Sequence, residues 1–520
     1  MKKLFILSIL IYWACNANAQ NIRFQRAIEY RKQLNYISNP IYLNDSVFFC
    51  RQNIFDINNL SAGYVNSILD KNGDSISNNV IVKDTSSFYG PIKILQLNNR
   101  IYSVSQYSDN HNSVPQFVFI KSKADGDSLI TEIFGDNNSW DVAFDLILNH
   151  ENNLIITGAI TIANDGWNIN HQCLLKMDTM GNIIWQKDLG IVGKDTYGNG
   201  VIETANHDYI INGYINPKTS LSGYPTTGKN LFVTCTDSAG NIKWRKQYGT
   251  TIQDEFGNGI IKGKNGFYLL GQQDSFYQDF NPPFKVFSET IGIIYFIDAN
   301  GNVLWQKKYI DTTYETRLLN GFAIKGNEYV LLANKTRAAY NTIYTNNEPT
   351  IIKIDSVGNL RWKRQYYIDD SLNINPFQIT LCPDSGYMVN GYVEYAKASH
   401  LADAYLLKVD KYGCLQSNCQ QWDGVEEVVN YSNKEVEALV VYPNPASQSI
   451  VISHQPLVNT IEVTDVLGRV LLRDEASNQQ INNSSTQQIQ LDVSTLPNGI
   501  YFIKSTDTKG NMMNGKFVKE

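Results

Sequence analysis

Histidine, methionine, cysteine and proline are scarce in this chain: 520 residues hold 6 His, 6 Met, 7 Cys and 14 Pro. The histidines stand at His111, His150, His171, His207, His400 and His454, and no two share the spacing of a helical zinc site. There is no Gly-x-Ser-x-Gly elbow, no phosphate-binding Walker loop and no cysteine in the local setting of a known nucleophile, so the sequence nominates no catalytic residue, metal ligand or cofactor site. Beyond the N-terminus no segment approaches the roughly 20 uncharged apolar residues that a transmembrane helix needs. Lys and Arg nowhere form a run that would neutralise a row of phosphates, and the formal net charge is −6, which excludes nucleic acid as a natural partner. What is abundant is Tyr, Asn, Ile and Gly, a composition of strands and tight turns.

Residues 1–19 read as a secretory signal peptide. Lys2 and Lys3 are its charged start, Leu4 to Trp13 its apolar stretch, and Ala17-Asn18-Ala19 its small-residue cleavage site. Export by the Sec translocon would leave Gln20 at the mature N-terminus and six cysteines. Cys15 raises lipid attachment as an alternative, although Tyr12 stands where such signals have Leu. Cys50, Cys173, Cys235 and Cys382 lie in or beside apolar runs and read as buried thiols. Cys414 and Cys419 are near enough in sequence to form a disulfide in an oxidising compartment.

A repeat dominates residues 20–420. The segment Asp178-x-x-Gly181-Asn-Ile-Ile-Trp185 recurs in the segments ending at Trp244, Trp305 and Trp362. Turn glycines extend the series to Gly73, Gly126, Gly181, Gly240, Gly301, Gly358 and Gly413. An earlier small residue keeps the same period, at Cys50, Ser105, Gly158, Gly213, Gly271, Ala333 and Gly391. Two independent marks with one period indicate seven copies of one supersecondary unit. The copy from Phe256 to Ile310 reads as four strand-like runs, with Asp298 and Gly301 at a hairpin between the last two. The expected fold is therefore all-β, a seven-bladed β-propeller of four-stranded blades, with the recurring Trp residues packing blade against blade. Asn21 to Arg26 resembles Asn182 to Lys187, whereas the seventh copy has Cys414 to Cys419 where its fourth strand should be. An N-terminal strand that completes the last sheet would close the ring and remove two exposed edges.

The elements Trp-x-Lys-x-Tyr-Gly, Asp-x-Phe-Gly-Asn-Gly and Asp-x-x-Gly-Asn resemble the β-propeller repeats of secreted bacterial surface proteins. The resemblance is clear around Trp185, Trp244, Trp305 and Trp362 and weaker in the first two copies, where Ser77 and Ile130 replace Trp. It implies a scaffold and no particular reaction.

After a polar linker, residues 421–437, the period is lost. Residues 438–520 read as short strands divided by Gly, Pro and Asn turns, a small Ig-like β-sandwich. Tyr442-Pro443-Asn444-Pro445, Asp465-Val-Leu-Gly468-Arg, Leu496-Pro-Asn-Gly499-Ile-Tyr501 and the ending Lys516-Phe-Val-Lys519 resemble the type A sorting domain of type IX secretion. That resemblance implies recognition by the type IX machinery at the outer membrane and a final place outside the cell or on its surface.

The ligand is the open question. Antiparallel succession puts the loops between second and third strands and the blade-to-blade connections on one rim. Three of these loops, about residues 215–230, 272–289 and 334–350, are long and consecutive, and they carry Tyr224, Tyr277, Phe280, Phe284, Phe287, Tyr340 and Tyr344 among polar residues. Such a mixture suits contact with an extracellular protein or glycan, or self-packing of the loops. Asp195 and Asp254 open equivalent segments on the same rim and read as turn caps, with a cation as the alternative. Three functions follow: a surface binding scaffold, a polysaccharide-acting enzyme whose acids converge from separate blades, or an envelope protein with no dedicated ligand.

Overall fold

The computed structural model describes residues 24–28, 34–56, 61–83, 86–109, 112–123, 127–134, 141–162, 169–216, 228–250, 253–279, 285–311, 314–337, 346–367, 372–395, 402–415, 440–454, 458–465, 470–475, 487–507 and 512–520. The proposed signal peptide and linker lie outside them. Every regular element among the described residues is a strand. Two compact units divide the chain, Met1–Val429 and Asn430–Glu520.

In the first unit the strands follow one another in antiparallel groups of four. The group Val142–Leu148, Leu154–Ile162, Ile169–Met177 and Ile183–Asp188 is typical, each strand pairing with the next in sequence. Four further four-stranded sheets run from Ser86 to Phe134, Asp195 to Tyr248, Asp254 to Tyr309 and Tyr314 to Gln365. The remaining nine strands form one sheet that joins the two ends of the unit. There Phe24–Ile28 pairs antiparallel with Ala402–Val409, and Leu34 bridges Ala402 in parallel. Phe24 sits opposite Lys408, as Trp185 sits opposite Lys176, so the first strand takes the fourth-strand register of the last group. Apolar clusters bridge successive sheets, for example Leu231, Val233 and Tyr248 with Leu269, Ile293 and Tyr295. Sequential four-stranded meanders stacked face to face, with the ends sharing a sheet, make a β-propeller.

Local chemistry explains both periodic marks. In the hairpin between third and fourth strands, Asp298 Oδ1 accepts the backbone N–H groups of Asn300 and Asn302 at 2.8 Å, and its Oδ2 accepts the Asn302 side-chain amide at 2.9 Å. Gly301 supplies the positive φ (75°) that the turn requires. Asp178, Asp237 and Asp355 make the same set of bonds. The second mark answers a bulge in the first strand. Pairing shifts between Gly198 and Gly200, opposite Gly213, and a Cβ on Gly213 would fall 1.8 Å from the Tyr197 carbonyl oxygen. Gly158, Gly271 and Gly391 meet the equivalent carbonyls of Val142, Phe256 and Asn375 in the same way.

The second unit has a three-stranded sheet (Val440–Tyr442, Ser449–His454, Gln487–Asp492) and a four-stranded one (Val470–Glu475, Val458–Thr464, Gly499–Asp507, Met512–Lys519). Ile450, Ile452 and Leu491 of the first and Ile461, Val463, Tyr501, Ile503 and Phe517 of the second share one core.

Candidate functional site

The first strands of the sheets in the larger unit line a cavity of about 530 Å³. Phe144, Asn199, Asn258, Leu319 and Phe377 are bulge residues that project from these strands. Much of the polar lining holds sheets together. Asn199 donates to the Gly257 carbonyl (2.7 Å), Asn258 to that of Leu318 (2.8 Å), and Asn320 to that of Phe377 (2.5 Å). Asp145 accepts from Val201 N–H (3.0 Å) and pairs with Lys93 (3.4 Å), while Asn39 takes both backbone groups of Ile94. Asn390, on a second strand, donates to the Ile37 carbonyl at 2.9 Å and so links the last group of strands to the first. The Asn of the Gly-Asn-Gly element is thus a tie between neighbouring sheets.

Near the starts of the first strands, half-buried aromatic rings gather between neighbouring sheets. Tyr197 and Tyr214 stack with centroids 4.6 Å apart, Tyr214 meets Phe256 edge-on at 5.0 Å, and Lys229 Nζ lies 5.0 Å from the Phe256 centroid. Asn170 donates to the Tyr197 hydroxyl at 2.7 Å. Burial pushes the Tyr197 phenol up to about 12, so it stays a neutral hydroxyl at physiological pH. A second group, Tyr36, Phe377 and Tyr392, packs at 4.8 to 6.1 Å on the ring-closing sheet. Both groups escaped the sequence reading, although Tyr197 and Phe256 occupy the aromatic position of the repeated Asp-x-Tyr/Phe-Gly-Asn-Gly element.

Four acids stand on the strands that carry these rings or pair with them. Asp254 accepts backbone N–H bonds from Gly228 (2.6 Å) and Lys229 (3.0 Å), which pins the chain where it enters the next strand. Asp195 does the same for Asn170 N–H at 2.9 Å. Both aspartates therefore act on backbone amides. Glu255 is fully buried and accepts from the Gln273 amide at 2.7 Å; burial holds its carboxyl above the usual range. Asp274, opposite Asp254 in the sheet, is raised for the same reason.

Of the loop residues nominated from sequence, two belong to described strands. Tyr224, Phe280, Phe284, Tyr340 and Tyr344 lie outside the described residues. Tyr277 and Phe287 are paired in backbone register in the long hairpin Phe267–Asp279 and Lys285–Ile297. The repeated tryptophans all meet the turn of the next sheet. A Cβ on Gly240, Gly301, Gly358 or Gly413 would lie 2.8 to 3.1 Å from the ring of Trp185, Trp244, Trp305 or Trp362 respectively. Two residues of Trp-x-Lys-x-Tyr join them there. Lys246 and Lys307 reach Asn302 and Asn359, and Tyr248 and Tyr309 donate to the Gly301 and Gly358 carbonyls at 2.8 and 2.9 Å. Cys414 is buried and disulfide-bonded, and Cys419 lies outside the described residues. Cys50, Cys173, Cys235 and Cys382 are buried free thiols.

In the smaller unit Tyr442, Pro443, Asn444 and Pro445 are exposed and strapped to the last strand. Asn444 Oδ1 accepts from Val518 N–H at 2.9 Å, while Ala446 exchanges bonds with Val518 and Glu520 at 2.8 and 2.9 Å. Lys516 is exposed on that strand. Lys519 is buried and donates to the Glu520 carbonyl. Tyr501 is buried against Phe517 and donates to the Pro497 carbonyl at 2.7 Å, closing the turn that Gly499 leaves. Gly468 lies outside the described residues.

No curated relative matches the chain. Among solved structures it is similar to the β-propeller domain of the Trilobed protease from Pyrococcus furiosus, with 9% identity, a TM-score of 0.39, and 73% of this chain and 95% of that one covered. It is also similar to a polysaccharide lyase, an ulvan lyase, with 10% identity, a TM-score of 0.45, and 74% and 96% covered. No helix among the described residues is long and apolar enough to cross a membrane. Residues 440–520 match the family model described as the Secretion system C-terminal sorting domain. The protein therefore pairs a β-propeller body with a type IX sorting domain, by which it is delivered to the cell surface or the extracellular space.

Proposed function

We propose that the protein is a binding scaffold, a seven-bladed propeller followed by an Ig-like sandwich, that presents an aromatic rim to glycan or protein outside the cell. A circuit of inter-sheet bonds, from Asn39 through Asp145, Asn199, Asn258 and Asn320 to Asn390, supports the closed ring. The observation that carries the binding reading is the Tyr197, Tyr214 and Phe256 cluster, with Lys229 beside it, half-buried where two neighbouring sheets meet. Flat aromatic faces held rigid by their neighbours lose little entropy on contact, and Lys229 adds a charge for orientation. Export begins at the signal peptide of residues 1–19 through the Sec translocon. The sandwich of residues 438–520 is then read at the outer membrane, with Tyr442 to Pro445 and the Lys516-bearing strand on one exposed surface.

Binding of the purified protein to a panel of polysaccharides and envelope proteins tests the rim. Tyr214→Ala should weaken the best ligand at least tenfold with the fold intact by circular dichroism. Unchanged affinity removes the rim from the site. Deleting residues 438–520 should leave the protein in the periplasm, and normal surface delivery of that truncation defeats the sorting role.

A polysaccharide-acting enzyme is the second reading, favoured by one observation. Glu255 and Asp274, on the strand that carries Phe256 and on its partner, are acids with raised pKa, as a general acid requires. Depolymerisation of a bound glycan that Glu255→Gln abolishes would install this reading in place of the first.

A further inference from the structure

On the side of the propeller opposite the aromatic rim, two neighbouring hairpins bring together residues far apart in sequence. His150 sits in the turn after the strand Val142–Leu148, Glu203 ends the strand Asp195–Glu203, and His207 follows in the next turn. One imidazole nitrogen from each histidine and a carboxylate oxygen of Glu203 lie within 4.8 Å of one another. His150 Nδ1 is 2.5 Å and His207 Nδ1 3.4 Å from the same oxygen, Glu203 Oε1. The two rings stack with centroids 3.5 Å apart. The His150 backbone N–H donates to Glu203 Oε2 at 2.8 Å, which fixes the carboxylate and turns its other oxygen toward both rings.

We propose that His150, Glu203 and His207 form a binding site for a divalent transition-metal ion of the zinc class, which clips two adjacent blades together. Ligands about 2.0–2.2 Å from a tetrahedral ion stand roughly 3.3 Å apart, the separation already present between His207 and Glu203. For both in-plane lone pairs to converge on one ion the two rings must turn out of their stack, which also opens the shorter His150 contact; their side chains are 40% and 48% exposed, which leaves them room to turn. Two imidazoles and one carboxylate suit zinc, nickel or copper, whereas calcium and magnesium take oxygen sets. The half-exposed rings leave a remaining position open to water. Lys176, the nearby cation, is engaged by Glu151 and does not compete for Glu203.

The site spans sheets, so metal should stabilise the body as well as bind to it. The full-length protein is stripped with chelator and then titrated with zinc chloride and, separately, calcium chloride, by calorimetry and thermal unfolding. One zinc per chain with a raised Tm, and no response to calcium, is the expected result. His207→Asn keeps a side chain that tolerates the positive φ of 63° at this turn, and His150→Ala removes the other ring. Each should weaken zinc binding at least tenfold and abolish the rise in Tm, while His454→Ala, in the other unit, should bind zinc as the wild type does. Absence of zinc binding by the wild type overturns the proposal, as does equal binding by all three variants.

Discussion

Neighbouring sheets in the propeller meet in two different ways. Between the later sheets an aromatic residue settles under a turn: Trp305 lies beneath Gly358, stacks on Phe296 at 5.4 Å and meets Tyr268 edge-on at 5.7 Å. Between the first two groups, where Ser77 stands in place of Trp, a single arginine reaches across. Arg51 is fully buried; it donates to Asn66 Oδ1 and Ser122 Oγ at 2.8 Å and to Ser103 Oγ, and its guanidinium lies 4.9 Å from the Tyr64 centroid. Burial pushes its pKa down, because hydroxyls and an amide surround it instead of a carboxylate. One architecture thus admits a repeated apolar contact and a one-off polar network. The first survives small changes of shape, whereas the second depends on every bond being made.

Removing Arg51 should be the most damaging change. Arg51→Ala leaves a cavity and removes the donor that Ser103, Ser122 and Asn66 share, at a cost of about 3–5 kcal/mol from the cavity and the unmade hydrogen bonds together. Chemical denaturation measures it. Arg51→Met sharpens the comparison, since it fills the volume but makes no hydrogen bonds. If the two variants unfold alike, the bonds carry the contact; if the methionine chain recovers most of the loss, volume does.

Trp305→Ala should cost less, about 2–3 kcal/mol, because the ring is only half-buried and its neighbours Lys307 and Tyr309 still hold the Gly358 turn. A loss equal to that of Arg51→Ala, measured in the same titration, would erase the distinction between the two kinds of contact.

The same contrast explains what could be read from sequence. Trp, turn Gly and the small residue of the second strand are visible because each answers a geometric demand that recurs: a ring under a turn, a positive φ, a carbonyl pressed on a Cα. The N-terminal strand was legible for the same reason, with Phe24 holding the place of Trp185. Arg51 occurs once and has no period to announce it. His150, Glu203 and His207 escaped because they sit in or beside turns of successive copies, where residue identity is free and only the fold sets distance. Tyr214 and Tyr392 lay near the expected rim, but strand-end aromatics in a Tyr-rich chain look like core until neighbouring sheets place them. In the sorting domain the motifs were plain, whereas the strap from Asn444 to Val518 joins residues 74 apart and leaves no local mark.

The smallest effect belongs to the turn that covers each Trp. Asp298 is held below the usual carboxylate range first by the Asn302 backbone N–H, with its side-chain amide and Asn300 N–H adding to it against partial desolvation. A carboxyl whose folded pKa is depressed adds stability that is present above its unfolded value of about 3.9 and disappears as pH falls through the folded value. Asp298→Ala should therefore cost about 1 kcal/mol at neutral pH, as lost side-chain caps do, and progressively less as pH falls through the depressed folded value, where the wild-type turn loses its charge as well. Thermal unfolding of both proteins from pH 7 to pH 2.5 measures this difference. Curves that stay parallel across the acid range would mean that the turn is held by Gly301 and the Trp244 ring packed against it, and that the aspartate only decorates a contact already made.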